Sequence, residues 1–120
     1  MGHEQLIADL RAAGCDPTVM NANGVEFVVF GYVVPVGAHA GEEVQVGLQA
    51  PDWPINPPSG PHITPRIHHP GDNAHHASPL GDNSIYWSRP HPRWAEGSRT
   101  LEEYLAHLRG LFAQFVDAAA

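Results

Sequence analysis

A chain of 120 residues with 42% hydrophobic content is long enough to bury one core and too short for two. Six arginines and no lysine against thirteen acidic residues leave a formal net charge of -7, which argues against nucleic acid or an anionic membrane surface as ligand and favours a basic protein partner. The missing lysine excludes a lysine Schiff base, and the single cysteine, Cys15, excludes an internal disulfide and a thiolate-rich zinc site while fitting a reducing compartment.

In chain order, Leu6, Ile7, Leu10 and Ala13 fall at helical spacing, and Gly14 followed by Pro17 is a helix stop. Glu4, Asp9 and Arg11 interrupt this stretch, so it reads as neither a signal peptide nor a membrane span, and a soluble cytoplasmic protein is expected. The turn sequence "NANG" then separates Val19-Met20 from "VEFVVFGYVVPV", whose β-branched and aromatic run predicts a buried strand. After the turn "GAHAGEE", Val44, Val46 and Leu48 alternate with Gln45, Gly47 and Gln49, the period of a half-buried strand. "HITPRI" reads as a third, short strand that Pro65 assigns to an edge or a strand end.

Seven prolines between Pro51 and Pro70 exclude a helix there and fix an extended, turn-rich loop. From His68 to Ser98 no period stands out, although Trp87 and Trp94 require that the loop pack on something. The C-terminal helix is the clearest element: Thr100 and Glu103 form a capping box ahead of an apolar stripe made by Leu101, Tyr104, Leu105, Leu108, Leu111, Phe112, Phe115 and Val116. The expected architecture is α+β: an N-terminal helix, an antiparallel meander of three to four strands, a long Pro/His-rich loop, and a C-terminal helix covering one face of the sheet in a single domain spanning 1-120.

That order of elements, together with "APDWPINPPSGPHITPRIHHPGDN", resembles the ubiquitin-conjugating enzyme superfamily, most closely its small bacterial members. The superfamily has an aromatic-Pro-x-x-Pro-Pro segment, a short strand and then a His-Pro-Asn motif; Trp53-Pro54, Pro57-Pro58 and His69-Pro70 stand in the same order here. Downstream, "LGDNSIYWSRPHPRW" is similar to the superfamily's Gly-x-Ile-Cys-Leu segment and following Trp, through Gly81, Ile85, Tyr86, Trp87 and Trp94. Two departures carry a consequence. Gly71 replaces the motif asparagine, with Asn73 two residues on, and Tyr86 stands in the position of the thioester cysteine. A phenol with a pKa near 10 does not replace a thiol as a transthiolation nucleophile. The resemblance therefore implies an inactive ubiquitin-conjugating variant, with no catalytic residue, that binds a ubiquitin-like protein, an activating-enzyme-like protein or a deubiquitinase-like protein. Trp53, Tyr86, Trp87 and Trp94 are its candidate binding residues.

Histidine supplies the alternative. Nine are present, and the loop from His68 to His91 holds enough imidazole and carboxylate for a zinc or iron site, with His69, His75 and His76 as the candidate ligands of a small metal-dependent enzyme or sensor. Against it, adjacent histidines in extended chain point to opposite faces, and no His-x-His or His-Glu-x-x-His spacing fixes a geometry, so no cofactor is expected. Ser78, Ser84 and Ser88 lie near histidines but in no nucleophile elbow. Cys15, at the C-terminal end of a helix where the dipole disfavours a thiolate, reads as a small apolar residue.

Overall fold

The computed structural model describes residues 2–65, 75–88 and 90–113. It is an α+β fold with helix α1 (Gly2–Ala12), strands β1 (Thr18–Ala22), β2 (Val25–Val33), β3 (Glu43–Leu48), β4 (His62–Thr64), β5 (His75–Ser78) and β6 (Gly81–Trp87), and helix α2 (Leu101–Ala113). The strands form one antiparallel sheet in the order β1-β2-β3-β4-β6-β5.

Local chemistry sets several boundaries. α1 stops at Gly14, whose φ of 88° places it in the left-handed region. There the Gly14 N–H donates to the Arg11 carbonyl and the Cys15 N–H to that of Leu10, the paired bonds of a Schellman motif. Asn23 and Gly24, with φ of 53° and 79°, make the two-residue turn between β1 and β2, since a primed turn needs positive φ at both central positions. At the other end of the chain the Glu103 N–H donates to Thr100 Oγ1, as a capping box requires. The reciprocal half is displaced: the Glu103 carboxylate accepts from the N–H and the hydroxyl of Ser98, at 2.6 and 2.9 Å. These donors, Ser98 first, hold its carboxyl below the ordinary range.

Both helices cover the same face of the sheet. Leu6 and Leu10 of α1 and Leu101, Tyr104, Leu108, Leu111 and Phe112 of α2 share one buried cluster with Val28, Phe30, Val44, Val46, Leu48, Ile63, Ile85 and Trp87 from the strands. Leu105 is half-buried beside it, whereas Phe115 and Val116 of the predicted stripe lie outside the described residues. No helix among the described residues is long and apolar enough to cross a membrane.

Three expectations are corrected. The sheet has six strands rather than three or four, because the segment read as irregular loop contains the β5–β6 hairpin; Ile85 and Trp87 point into the core and Ser84 and Tyr86 away, a period of two confined to a few residues. β4 is no edge: it sits between β3 and β6, and Pro65 ends it. Ala13 lies past the helix and is exposed.

Tyr104 carries a prediction of its own. It is fully buried, and its hydroxyl has no hydrogen-bond partner among the described residues. A hydroxyl stripped of water without a replacement bond is a net cost, so Tyr104→Phe is expected to stabilise the fold by about 1 kcal/mol in urea denaturation. A loss of that size instead would mean that the hydroxyl is bonded in solution.

Candidate functional site

The strand registers bring one residue of every strand into a single row across the face opposite the helices: Thr18, Val29, Gly47, His62, Tyr86 and His76. The row is a consequence of pairing alone, since side chains alternate along a strand and directly opposed residues share a face. At the β1 end it is small and aliphatic. At the β5 end it is aromatic, and this end contains the position singled out by the sequence, Tyr86.

Tyr86 is half-buried. Its ring stacks on His62 with centroids 4.6 Å apart and planes 25° apart, and lies 6.2 Å from the His76 ring. His62 is 5% exposed, and its ring makes a T-shaped pair with Phe27 at a centroid distance of 4.8 Å. The side chains around this stack are held by the β5–β6 turn. Ser78 Oγ lies 2.7 Å from His62 Nδ1 and accepts the Leu80 N–H at 3.1 Å, so one hydroxyl ties the imidazole of β4 to the hairpin turn. Leu80 then folds back over β3. A Cβ on Gly47 would lie 2.7 Å from Leu80 Cδ1, so Leu80 would have to shift to admit a side chain there. Beside it, the hydroxyls of Thr64 and Ser84 bond one another across β4 and β6.

This geometry fixes what the cluster can do. Burial lowers the His62 pKa from 6.5 to about 4, so the imidazole is neutral at physiological pH and a weak base. A base that weak does not activate the Ser78 hydroxyl, and the Ser78–His62 contact ties the hairpin to β4 rather than preparing a nucleophile. The chain's one thiol is not in the row: it packs against the core cluster shared with the helices. Cys15 is half-buried just beyond α1, and burial pushes its pKa up, away from the thiolate.

The other sequence-predicted residues are placed differently. Trp53, Trp87 and Trp94 are core residues, 3%, 1% and 4% exposed, so they hold the scaffold and offer no surface to a partner. The Trp53 indole N–H donates to Asp9 Oδ2 of α1 and that of Trp94 to the Pro54 carbonyl, each an apolar body with its polar tip satisfied. The proline segment is thereby pinned to α1 and to Trp94. His69, Pro70 and Asn73 lie outside the described residues, as do His68, Gly71 and the side chain of His75. Of the alternative metal ligands, then, His76 alone can be placed, and it faces Tyr86. Among the described residues no three His, Cys, Asp or Glu side chains are arranged to hold a metal ion.

A second pair of histidines is used structurally. His91 Nε2 lies 2.9 Å from Glu103 Oε2, His91 Nδ1 accepts the Arg93 N–H, and the His91 ring lies against Trp94 and His107. Missing from the sequence reading were His62 as the stacking partner of Tyr86, Phe27 against that imidazole, and Leu80 over Gly47. The alternation of His62 and Thr64 about Ile63, and of Ser84 and Tyr86 about Ile85, holds the signal; it becomes usable only once β4 is known to pair with β6.

Among the described residues, fold and site together define a two-helix, six-stranded α+β domain with Tyr86 stacked on His62 on the sheet face opposite the helices. No protein-family model, curated protein or solved structure matches the chain.

Proposed function

We propose that the chain is a ubiquitin-conjugating-like domain without a thioester cysteine, which acts by binding a ubiquitin-like protein or a partner enzyme of a bacterial conjugation or deconjugation system. The observation that carries this reading is Tyr86. The residue aligned by motif order with the thioester position is a half-buried phenol stacked on a neutral imidazole, with no thiol beside it. Such a group donates and accepts hydrogen bonds and offers a flat aromatic face; it does not carry an acyl thioester. The sequence of helix, antiparallel strands, proline segment and C-terminal helix supports the same reading at the level of architecture.

Mixed with a ubiquitin-like protein, its activating enzyme and ATP, the domain is expected to form no thiol-labile adduct while binding one of the two proteins in calorimetry. Tyr86→Ala should weaken that binding about ten-fold, the effect of removing one central aromatic contact. An adduct on Cys15 or Tyr86 would overturn the non-catalytic reading. Absence of binding to ubiquitin-like, activating and deubiquitinase-like proteins alike would overturn the class of partner.

A further inference from the structure

The turn between β1 and β2 holds a reactive pair. Asn23 precedes Gly24, and a backbone nitrogen that follows an asparagine can attack its side-chain amide carbon, most readily when the residue bearing that nitrogen has no Cβ to crowd the approach. Both residues are exposed, and beyond their chain neighbours no atom lies within 4 Å of the place a Gly24 Cβ would take. The other asparagines lack this combination. Asn21 and Asn83 lie in the extended strands β1 and β6 ahead of Ala22 and Ser84, and Asn73 precedes Ala74. Asn56 precedes Pro57, which has no N–H, and donates its amide to Asp52.

The turn conformation decides whether the pair reacts. Positive φ at both central residues, 53° at Asn23 and 79° at Gly24, defines a type I′ turn, in which ψ of the first residue is about +30°. Attack closes a five-membered ring through Asn23 Cα, Cβ and Cγ, so the Gly24 nitrogen and Asn23 Cβ must be nearly eclipsed about the Cα–C bond. In an L-residue this occurs at a ψ of about -120°, the first-position value of a type II′ turn. In the type I′ turn the two atoms stand nearly opposite, and the nitrogen does not reach Cγ. The two turns share the φ of Asn23 and differ by a flip of the 23–24 peptide, which reverses the sign of a φ that glycine takes on either side at little cost.

We propose that Asn23 is a site of spontaneous conversion to aspartate and isoaspartate, and that the folded hairpin suppresses the reaction by holding the Gly24 nitrogen away from the amide carbon. In the first step the Gly24 nitrogen gives its proton to base and bonds to Asn23 Cγ, the bond from Cγ to the amide nitrogen breaks, and ammonia leaves. Water then opens the cyclic imide. Cleavage between the Gly24 nitrogen and Cγ restores the original chain with an aspartate; cleavage at the backbone carbonyl leaves the chain running through Cγ as isoaspartate. One water is consumed and one ammonia released, and one added carboxylate takes the formal charge from -7 to -8. Isoaspartate also puts an extra backbone atom between Ala22 and Val25. The two-residue turn then no longer closes, and β1, which among the described residues pairs with β2 alone, loses the register that places Thr18 in the row.

The test incubates the full chain in mildly alkaline buffer, with and without denaturing guanidinium chloride, and follows each asparagine by peptide mapping and mass spectrometry. The mass gain of exchanging an amide NH2 for a hydroxyl is expected at Asn23 ahead of Asn21, Asn56 and Asn83. It should accumulate about ten-fold or more faster in denaturant, because the folded chain reaches the closing geometry only through a turn flip or local opening of the hairpin. Gly24→Ala, compared in denaturant where the fold plays no part, should slow conversion at Asn23. Molecules carrying isoaspartate, separated by their added charge, should melt below the unconverted protein. Conversion in denaturant no faster at Asn23 than at Asn21 or Asn83 would overturn the site. Equal rates at Asn23 with and without denaturant would overturn the protection by the turn.

Discussion

Trp53→Ala is expected to lower the stability of the domain by about 4 kcal/mol, within the range for deleting a buried indole. Trp53 is 3% exposed and touches both helices and the Trp94 ring. Its N–H holds Asp9 of α1 at 2.9 Å, its ring lies 5.2 Å from Trp94, and Tyr104 of α2 meets it edge-on at 6.3 Å. Removing the side chain opens a cavity where the proline segment and both helices meet, and it leaves the Asp9 carboxylate without that donor. In a protein of ordinary marginal stability, about 5–15 kcal/mol, this is a third of the total or more. Urea denaturation followed by circular dichroism measures it. Trp53→Phe, which keeps most of the volume and loses only the hydrogen bond, should recover about half. A cost for Trp53→Ala below about 1 kcal/mol would show that the segment is not anchored through this indole.

Acidification should destabilise the fold through His62. Its folded-state pKa is about 4 against 6.5 for a free imidazole, so above pH 6.5 neither state binds the proton and the full stability is present. Between pH 6.5 and 4 the unfolded chain takes up a proton that the folded chain refuses, and stability falls as pH falls. The two values correspond to about 3.4 kcal/mol at most, and solvent at the rim of the stack reduces the expected loss to about 2 kcal/mol. His62→Phe keeps a ring between Phe27 and Tyr86 and removes the titration. The difference in unfolding free energy between wild type and variant should therefore change across this window and stay flat above it, with the remaining histidines cancelling in the comparison. A difference independent of pH would mean that His62 is solvated in the folded state.

What the sequence made legible was local. Gly14 as a helix stop, "NANG" as a hairpin turn and Thr100 with Glu103 as a cap each depend on bonds among residues a few positions apart, and each formed where expected. The β5–β6 hairpin and the row ending at His76 depend on β4 pairing with β6, which nothing nearby in the chain encodes. The tryptophans show a different limit. Composition announces that three large aromatic side chains must lie against something, but a buried indole and an exposed binding indole look the same in a sequence. For Trp53, Trp87 and Trp94 the packing of the sheet against the two helices decided it.

The row also bears on when the surface comes into being. Its members are drawn from every strand, with Thr18 at one end and His76 at the other, so no fragment of the sheet displays it. Long-range strand pairings are formed late, because chain closure must precede the contacts that reward it. The full row is thus a product of completed folding, whereas the Tyr86–His62 stack needs only the pairing of β4 with β6. A nascent or damaged chain would present the parts of the row without their alignment.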